Sequence, residues 1–270
     1  MSVPRTTAGA ARTTHVAAVA EYLDQLLGIP AAPDYPGALN GLQIECRGEV
    51  RAIAAAVDLS QRTITGAAQA GANLLLVHHG MFWGGAQHIR GAQYVRLRTL
   101  LEHDIAVYSA HLPLDAHPEL GNNVLLARQL GLVPTGGFAR HQTLTIGVRG
   151  EATQLRTEEL LARADAFARE HGGHAIATAF GAGRMTRHWA ICTGGGASVE
   201  TLREARETGV DTLIVGEGPH WTAVDAPESG LTIIYAGHYA TETLGVQALA
   251  RQAADTFGLP WTFVPAPTGL

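Results

Sequence analysis

The stretch Asn73-Leu74-Leu75-Leu76-Val77-His78-His79-Gly80 decides how the rest of the chain is read. Apolar residues run into two imidazoles and a glycine follows, the pattern of a buried strand that delivers chemistry at its carboxyl end. Successive side chains on a regular strand point to opposite faces. Both histidines can serve one site only if the chain leaves the pleat there, and Gly80 permits such a turn. Taken alone, the stretch reads equally as a metal-binding strand end and as one exposed plus one satisfied core histidine.

Working outward, Arg51 to Asp58 reads as a preceding strand with Asp58 at its carboxyl end. A helix follows from the N-cap Ser60 to Ala70, stopped by Gly71. This strand–helix–strand unit imposes parallel pairing with a right-handed crossover. A helix over Gln93 to His103 and a strand over Ile105 to His111 continue the alternation. Upstream, the apolar spacing of His15 to Leu27 predicts a helix capped by Thr14 and stopped by Gly28. Pro30, Pro33 and Pro36 then lead to Asn40-Gly41-Leu42-Gln43, a turn entering a strand. Downstream, a helix over Gly121 to Leu130 closes the first run.

Gly136 to Arg149 opens a second run, with a helix from Arg156 to His171 and strands over His174 to Phe180 and Arg187 to Thr193. A helix through Glu207 follows, then strands over Asp211 to Gly216 and Leu231 to Gly237. Thr241 to Phe257 is the last long helix. The predicted organisation is a disordered tail over 1–14, an α/β domain over 15–135 plus 238–270, and a second α/β domain over 136–237 inserted into it.

Hydrophobic content of 46% and charged content of 16% describe a folded chain with a sizeable core. Nineteen basic against 24 acidic residues give a formal charge of −5, which disfavours a nucleic-acid-coating role. Cys46 and Cys192 stand far apart, without a CxxC pattern, so neither a disulfide framework nor a thiolate zinc site is indicated. A reduced cytoplasm is the expected location. No apolar run approaches the roughly 18–20 residues needed to span a bilayer.

Among thirteen histidines, several sit beside strand ends. Three of those ends carry potential ligands: His78 and His79; His111-Leu112-Pro113-Leu114-Asp115-Ala116-His117; and Gly237-His238-Tyr239-Ala240-Thr241-Glu242. His238 and Glu242, four apart, share one helical face. Pro113 and Pro118 stiffen the loop around Asp115, which by itself also reads as a turn aspartate. Three histidines and two carboxylates exceed the three or four protein ligands one zinc ordinarily takes. They suit two divalent ions roughly 3.5–4 Å apart, with iron, zinc or manganese favoured over magnesium or calcium.

These segments, with His78-His79-Gly80-Met81-Phe82-Trp83 and Asn40-Gly41-Leu42-Gln43, resemble the NIF-three-like dinuclear metal-centre family, often called GTP cyclohydrolase I type 2-like, in its compact bacterial form. The resemblance runs from about residue 15 to the end. It implies two divalent metal ions held by His78, His79, Asp115, His238 and Glu242. It also implies two three-layer α/β domains with mostly parallel or mixed sheets, the metal site in the cleft between them, and a toroidal homohexamer. Gly216-Glu217 is similar to a Gly-Glu pair that faces the family's central cavity, so Glu217 is a candidate proton carrier, as is His111. His117, next to Pro118, reads as an exposed residue. Gly194-Gly195-Gly196 reads as a tight turn between strand and helix, with anion contact the lesser alternative. Phe82 and Trp83 read as a pocket wall or a core cap.

The function expected is a dinuclear metal-dependent hydrolase acting on a small molecule, with ring opening of a nucleotide as the chemistry the family name implies. The alternative is a non-catalytic, metal-binding hexameric scaffold or regulator.

Overall fold

The structure, a computed structural model, describes residues 14–270 of the chain. The tail expected over 1–14 lies outside the described residues except for Thr14, which pairs with Val50 in a two-residue strand. The first helix, Val16–Leu27, is therefore capped by His15, whose Nδ1 accepts from the Ala17 N–H. The cap expected at Thr14 is displaced by that strand pairing.

Two sheets organise the molecule. The first runs Trp261–Phe263, Ile53–Asp58, Leu74–His79, Ala106–Ser109, Gly41–Ile44. Its first four strands are parallel and the last is antiparallel. Both faces are covered. Ile53, Ala55, Leu74 and Leu76 pack towards helices Val16–Leu27 and Thr243–Phe257. Ala54, Ala56, Leu75 and Val77 pack towards Gln61–Gln69 and Ala92–His103. Continuous apolar runs are what a parallel strand buried on both sides requires. Ser60 caps the helix Gln61–Gln69 through a reciprocal pair of bonds with Thr63.

The second sheet runs Gly136–His141, Leu144–Arg156, Met185–Cys192, Thr212–Val215, Thr232–Tyr235, Ile176–Ala177. Its Met185–Cys192, Thr212–Val215 and Thr232–Tyr235 strands are parallel and the outer pairings antiparallel. Helices Thr157–Glu170 and Asn122–Gln129 cover one face, with Trp189, Ile191, Ile214 and Ile234 beneath them. Val199–Glu207 and His220–Glu228 cover the other. The chain is thus α/β, with two three-layer units and mixed sheets. Asn122–Gln129 lies before residue 136 in sequence, yet its Leu126 and Ala127 belong to the second core.

Four elements differ from expectation. Gly136 to Arg149 is not one strand but a hairpin, reversed at Gln142 with φ +52 and extended to Arg156. The strand expected over His174 to Phe180 shrinks to Ile176–Ala177. Helix His220–Glu228 lacks a clear apolar stripe and holds Pro227, so no helical period marks it in the sequence. Trp261–Phe263 completes the edge of the first sheet.

Trp189 is fully buried at the centre of the second sheet, and its indole N–H has no acceptor. Trp189→Ala is expected to cost about 3–5 kcal/mol. Trp189→Phe should cost well under that, because it removes an unsatisfied donor along with part of the ring. Urea denaturation checks the order; equal losses for the two variants would contradict this packing.

Candidate metal centre

Both opening histidines remain within strand Leu74–His79, where His79 is paired with Asp58. Their rings nevertheless meet, with centroids 4.9 Å apart and planes at 54°. Neighbours on opposite sides draw them together. His78 Nδ1 donates to the Ala110 carbonyl at 2.8 Å, following strand Ala106–Ser109. His79 Nδ1 donates to Asp58 Oδ1 at 2.8 Å, on strand Ile53–Asp58. These partners can only accept, so each Nδ1 carries a proton and each Nε2 is the ring atom left to face the centre. The turn expected at Gly80 is not what unites the pair. Gly80 does not have positive φ; it is required because a Cβ there would collide with the Gln43 side chain.

That glutamine explains the Asn40-Gly41-Leu42-Gln43 motif, which is a strand entry and also a brace. Gln43 Oε1 accepts from Met81 N at 2.7 Å, while its Nε2 donates to the Ala38 and Leu39 carbonyls. Asn40 Oδ1 accepts from His111 N at 2.7 Å. Asp34, in the proline-rich connection, accepts from His111 Nδ1 at 2.9 Å, from Leu112 N and from Asn40 Nδ2. His111 is thereby turned inward beside the first pair, and ligand atoms of His78, His79 and His111 all lie within 4.8 Å of one another.

Asp115 is buried at the end of the short helix Leu112–Asp115. Its Oδ1 accepts from Asn122 Nδ2 at 2.8 Å, leaving Oδ2 3.5 Å from His78 Nε2. Asn122 Oδ1 in turn accepts from Gly245 N, and Asn123 bonds to Thr193 N and the Ile146 carbonyl. His238 and Glu242 come from the turn after strand Thr232–Tyr235. The single helix expected from Thr241 is broken there into His238–Thr241 and Thr243–Phe257. His238 Nδ1 donates to Glu217 Oε1 at 2.9 Å, and its Nε2 lies 3.2 Å from Glu242 Oε2. Glu242 Oε2 is 3.6 Å from His79 Nε2, and its Oε1 is 3.5 Å from His78 Nε2.

All five sequence-derived ligand positions therefore converge, and His111 joins them. Glu217 is half-exposed and sits behind His238 as its orienting acceptor. His117 stands apart; its Nδ1 accepts from Glu119 N and Leu120 N and so braces its own turn. Asp34, Asp58, Asn122 and Asn123 were not foreseen as site residues. Only Asp58, at a strand's carboxyl end, carried a positional signal.

The charges explain what the centre lacks. Burial works to lower the His78 pKa, but Asp115 and Glu242 outweigh it and hold it well above the usual imidazole value. Burial works to raise Glu242, but His78, His79 and His238 hold it well below the carboxylate range. His238, opposed by burial but facing Glu242 and Glu217, is raised to about 9. Burial dominates at His111 and lowers its pKa despite the bond to Asp34. His78 Nε2 and Glu242 Oε2 are nonetheless buried without a hydrogen-bond partner: the separations from His78 and His79 are long, 3.5–3.6 Å, and the 3.2 Å approach of His238 Nε2 to Glu242 Oε2 does not form one. Two donors each about 2.1 Å from one ion, at tetrahedral or octahedral angles, sit roughly 3.0–3.5 Å apart. The spacing, the inward Nε2 atoms and the outward Nδ1 bonds all fit cation ligation. The buried His/Glu group could hold metal ions.

A cavity of about 200 Å³ opens on this group, lined also by Tyr35, Trp83, Thr193 and Gly195. Trp83 packs on His79 and His111 with centroids 4.7 and 4.4 Å away, which places it in the pocket wall. Gly194, with φ +61, approaches so closely that a Cβ would collide with Glu242 Oε1. The glycine-rich turn is thus a tight turn pressed against the carboxylate. Another cavity, about 770 Å³ along residues 86–96, shares none of these residues. No helix among the described residues is long and apolar enough to cross a membrane.

The chain is similar to known proteins in sequence and in fold. The chain is 44% identical to a Deinococcus radiodurans protein named GTP cyclohydrolase 1 type 2 homolog, over 92% of each chain. It is 40% identical to a Pyrococcus horikoshii protein of the same name, over 93% of this chain and 98% of that one. Among solved structures it resembles protein ybgI, of unknown function, with TM-score 0.85 and 36% identity, covering 95% of this chain and 100% of the other. A Thermus thermophilus protein gives TM-score 0.81 and 36% identity at the same coverage. The family model Duf34/NIF3 (NGG1p interacting factor 3) matches residues 14–268, and the chain belongs to that family.

Proposed function

We propose that the protein is a dinuclear metal-dependent hydrolase acting on a small molecule. The observation that carries this reading is the convergence of inward-turned imidazole Nε2 atoms on two buried carboxylates. Glu242 presents Oε1 to His78 and Oε2 to His79 and His238, and a carboxylate with two such oxygens would suit two neighbouring ions better than one. Such ions supply Lewis acidity and acidify water near neutral pH. His78, His79, Asp115, His238 and Glu242 hold them. Asp58, Glu217 and the Ala110 carbonyl fix the imidazole orientations. His111, its Nδ1 engaged by Asp34, offers Nε2 as the proton acceptor facing the cavity. Half-exposed Glu217 links His238 to solvent for proton exit. The relatives named GTP cyclohydrolase 1 type 2 homolog make ring opening of a nucleotide the first reaction to assay. The homohexamer implied by the family resemblance belongs to the same proposal, tested by light scattering.

Protein loaded with iron, manganese or zinc should turn over a member of a nucleotide, phosphoester and cyclic-amide panel. His79→Ala should lose metal and activity together. His111→Ala should keep its metal while turnover falls about 10²–10⁴-fold. Loss of metal from His111→Ala would instead make His111 a ligand. Wild-type inactivity across the whole panel would favour the scaffold reading.

Asp58→Asn and Glu217→Gln replace acceptors that orient ligand imidazoles, and each should weaken metal affinity by about 10–100-fold. Competition against a fluorescent chelator measures this; unchanged affinity would show that the outer bonds are dispensable.

In the metal-free site, Glu242 and Glu217 outweigh burial and raise His238 to about 9, so its ring is protonated at neutral pH, and Asp115 and Glu242 shift His78 in the same direction. A cation must displace those protons. Zinc uptake at pH 7 should therefore release protons, and retention should fall as the pH is lowered. Calorimetry in two buffers of different ionisation enthalpy reads the release; buffer-independent heats would contradict it.

A further inference from the structure

We propose that Tyr35, Trp83, Thr193 and Gly195 form a slot for one neutral planar ring of the substrate, with Thr193 orienting that ring. This inference rests on the hydrolase reading and narrows its substrate class. Drug-sized ligands occupy pockets of roughly 300–1,000 Å³. The cavity beside the imidazoles, at about 200 Å³, therefore admits a single ring system while the rest of the molecule stays outside. Tyr35 and Trp83, 54% and 41% exposed, stand at its rim, and both rings lie near His111. Leu112, Ile146 and Cys192 add apolar wall. Aromatic and apolar faces of this kind take up a planar ring by stacking and burial.

The polar edge is supplied by the turn after strand Met185–Cys192. Thr193 is 8% exposed and its hydroxyl has no partner. A buried polar group left in that state calls for an explanation, and a hydrogen-bonding ring edge supplies one after rotation of the side chain. The N–H groups of Gly195 and Gly196 find no acceptor among the described residues. A Cβ added at Gly195 would meet nothing within 4 Å, so this residue faces open space. No arginine lines the cavity, and the chain contains no lysine. Away from the imidazoles the slot thus lacks the arginine and lysine side chains that ordinarily clamp phosphate, and Tyr35, Trp83 and Thr193 suit an uncharged ring there.

The test is calorimetric titration of metal-loaded protein with guanosine and with uridine, each repeated in the presence of millimolar inorganic phosphate. At least one nucleoside should bind, and phosphate should leave that binding unchanged. Thr193→Val, which keeps shape and loses the hydroxyl, should weaken it about three- to tenfold. Gly195→Val should abolish it by filling the slot, with metal content by elemental analysis equal to wild type. Failure of both nucleosides to bind, displacement by phosphate, or wild-type affinity in both variants would overturn the proposal. Nucleoside binding without turnover of any substrate would leave the slot standing and remove the hydrolase. Phosphoester turnover indifferent to both variants would do the reverse.

Discussion

The centre depends on hydrogen bonds that point away from it. His78, His79, His111 and His238 each have Nδ1 engaged, by the Ala110 carbonyl, Asp58, Asp34 and Glu217 respectively. An imidazole bonded in this way has a restricted ring plane and turns Nε2 towards the centre. The inner atoms are then left incompletely satisfied by the protein, as His78 Nε2 and Glu242 Oε2, both buried without a hydrogen-bond partner, demonstrate. Buried carboxylates without close partners are costly unless a cation stands among them. The outer bonds and the cation site are therefore two halves of one constraint.

The same constraint accounts for the stiffness of the surrounding chain. Asn122 and Asn123 are adjacent, buried and fully engaged. One joins Asp115 to the Thr243–Phe257 helix; the other joins Thr193 and Ile146 of the second unit. Two amides thus fix the distance between a ligand and the opposite wall. Gly194 and Gly80 serve through lack of a side chain, one against Glu242 and the other against Gln43. Backbone and side chain meet there too closely for any Cβ.

The sequence carried the parts of the fold whose cause is local. Buried parallel strands announce themselves as apolar runs, and capped helices as periodic stretches, so the alternation through residue 130 and the three ligand-bearing strand ends were legible. Ligand identity came largely from a long, specific motif around Asp115, with spacing adding His238 and Glu242. What escaped is set by contacts distant in sequence. Asp34 lies 77 residues from His111, and a proline-rich connection offers no period from which to infer the bond. The hairpin at Gln142 uses a positive φ at a residue other than glycine or asparagine, so no turn signature marks it. The convergence of His78 and His79 was misattributed to Gly80, because local strand geometry does not reveal two neighbouring strands drawing adjacent rings to opposite sides.

The division of labour between the two units follows from where the side chains originate. His78 and His79 end one strand of the first sheet, His111 and Asp115 follow another, and His238 with Glu242 occupies the turn by which the chain leaves the second. Ile146, Thr193 and Gly195 belong to the second unit and face the same cavity without contributing an imidazole or a carboxylate. A change in Thr193 or Gly195 alters the shape and polarity of the opening while leaving every Nδ1 bond in place. A change in Asp58 or Asp34 alters ring orientation while leaving the opening intact. Cation holding and cavity shape are therefore governed by separate sets of residues. One arrangement of imidazoles and carboxylates is compatible with different walls, and on the proposed hydrolase reading the wall would carry the chemistry that distinguishes one small molecule from another.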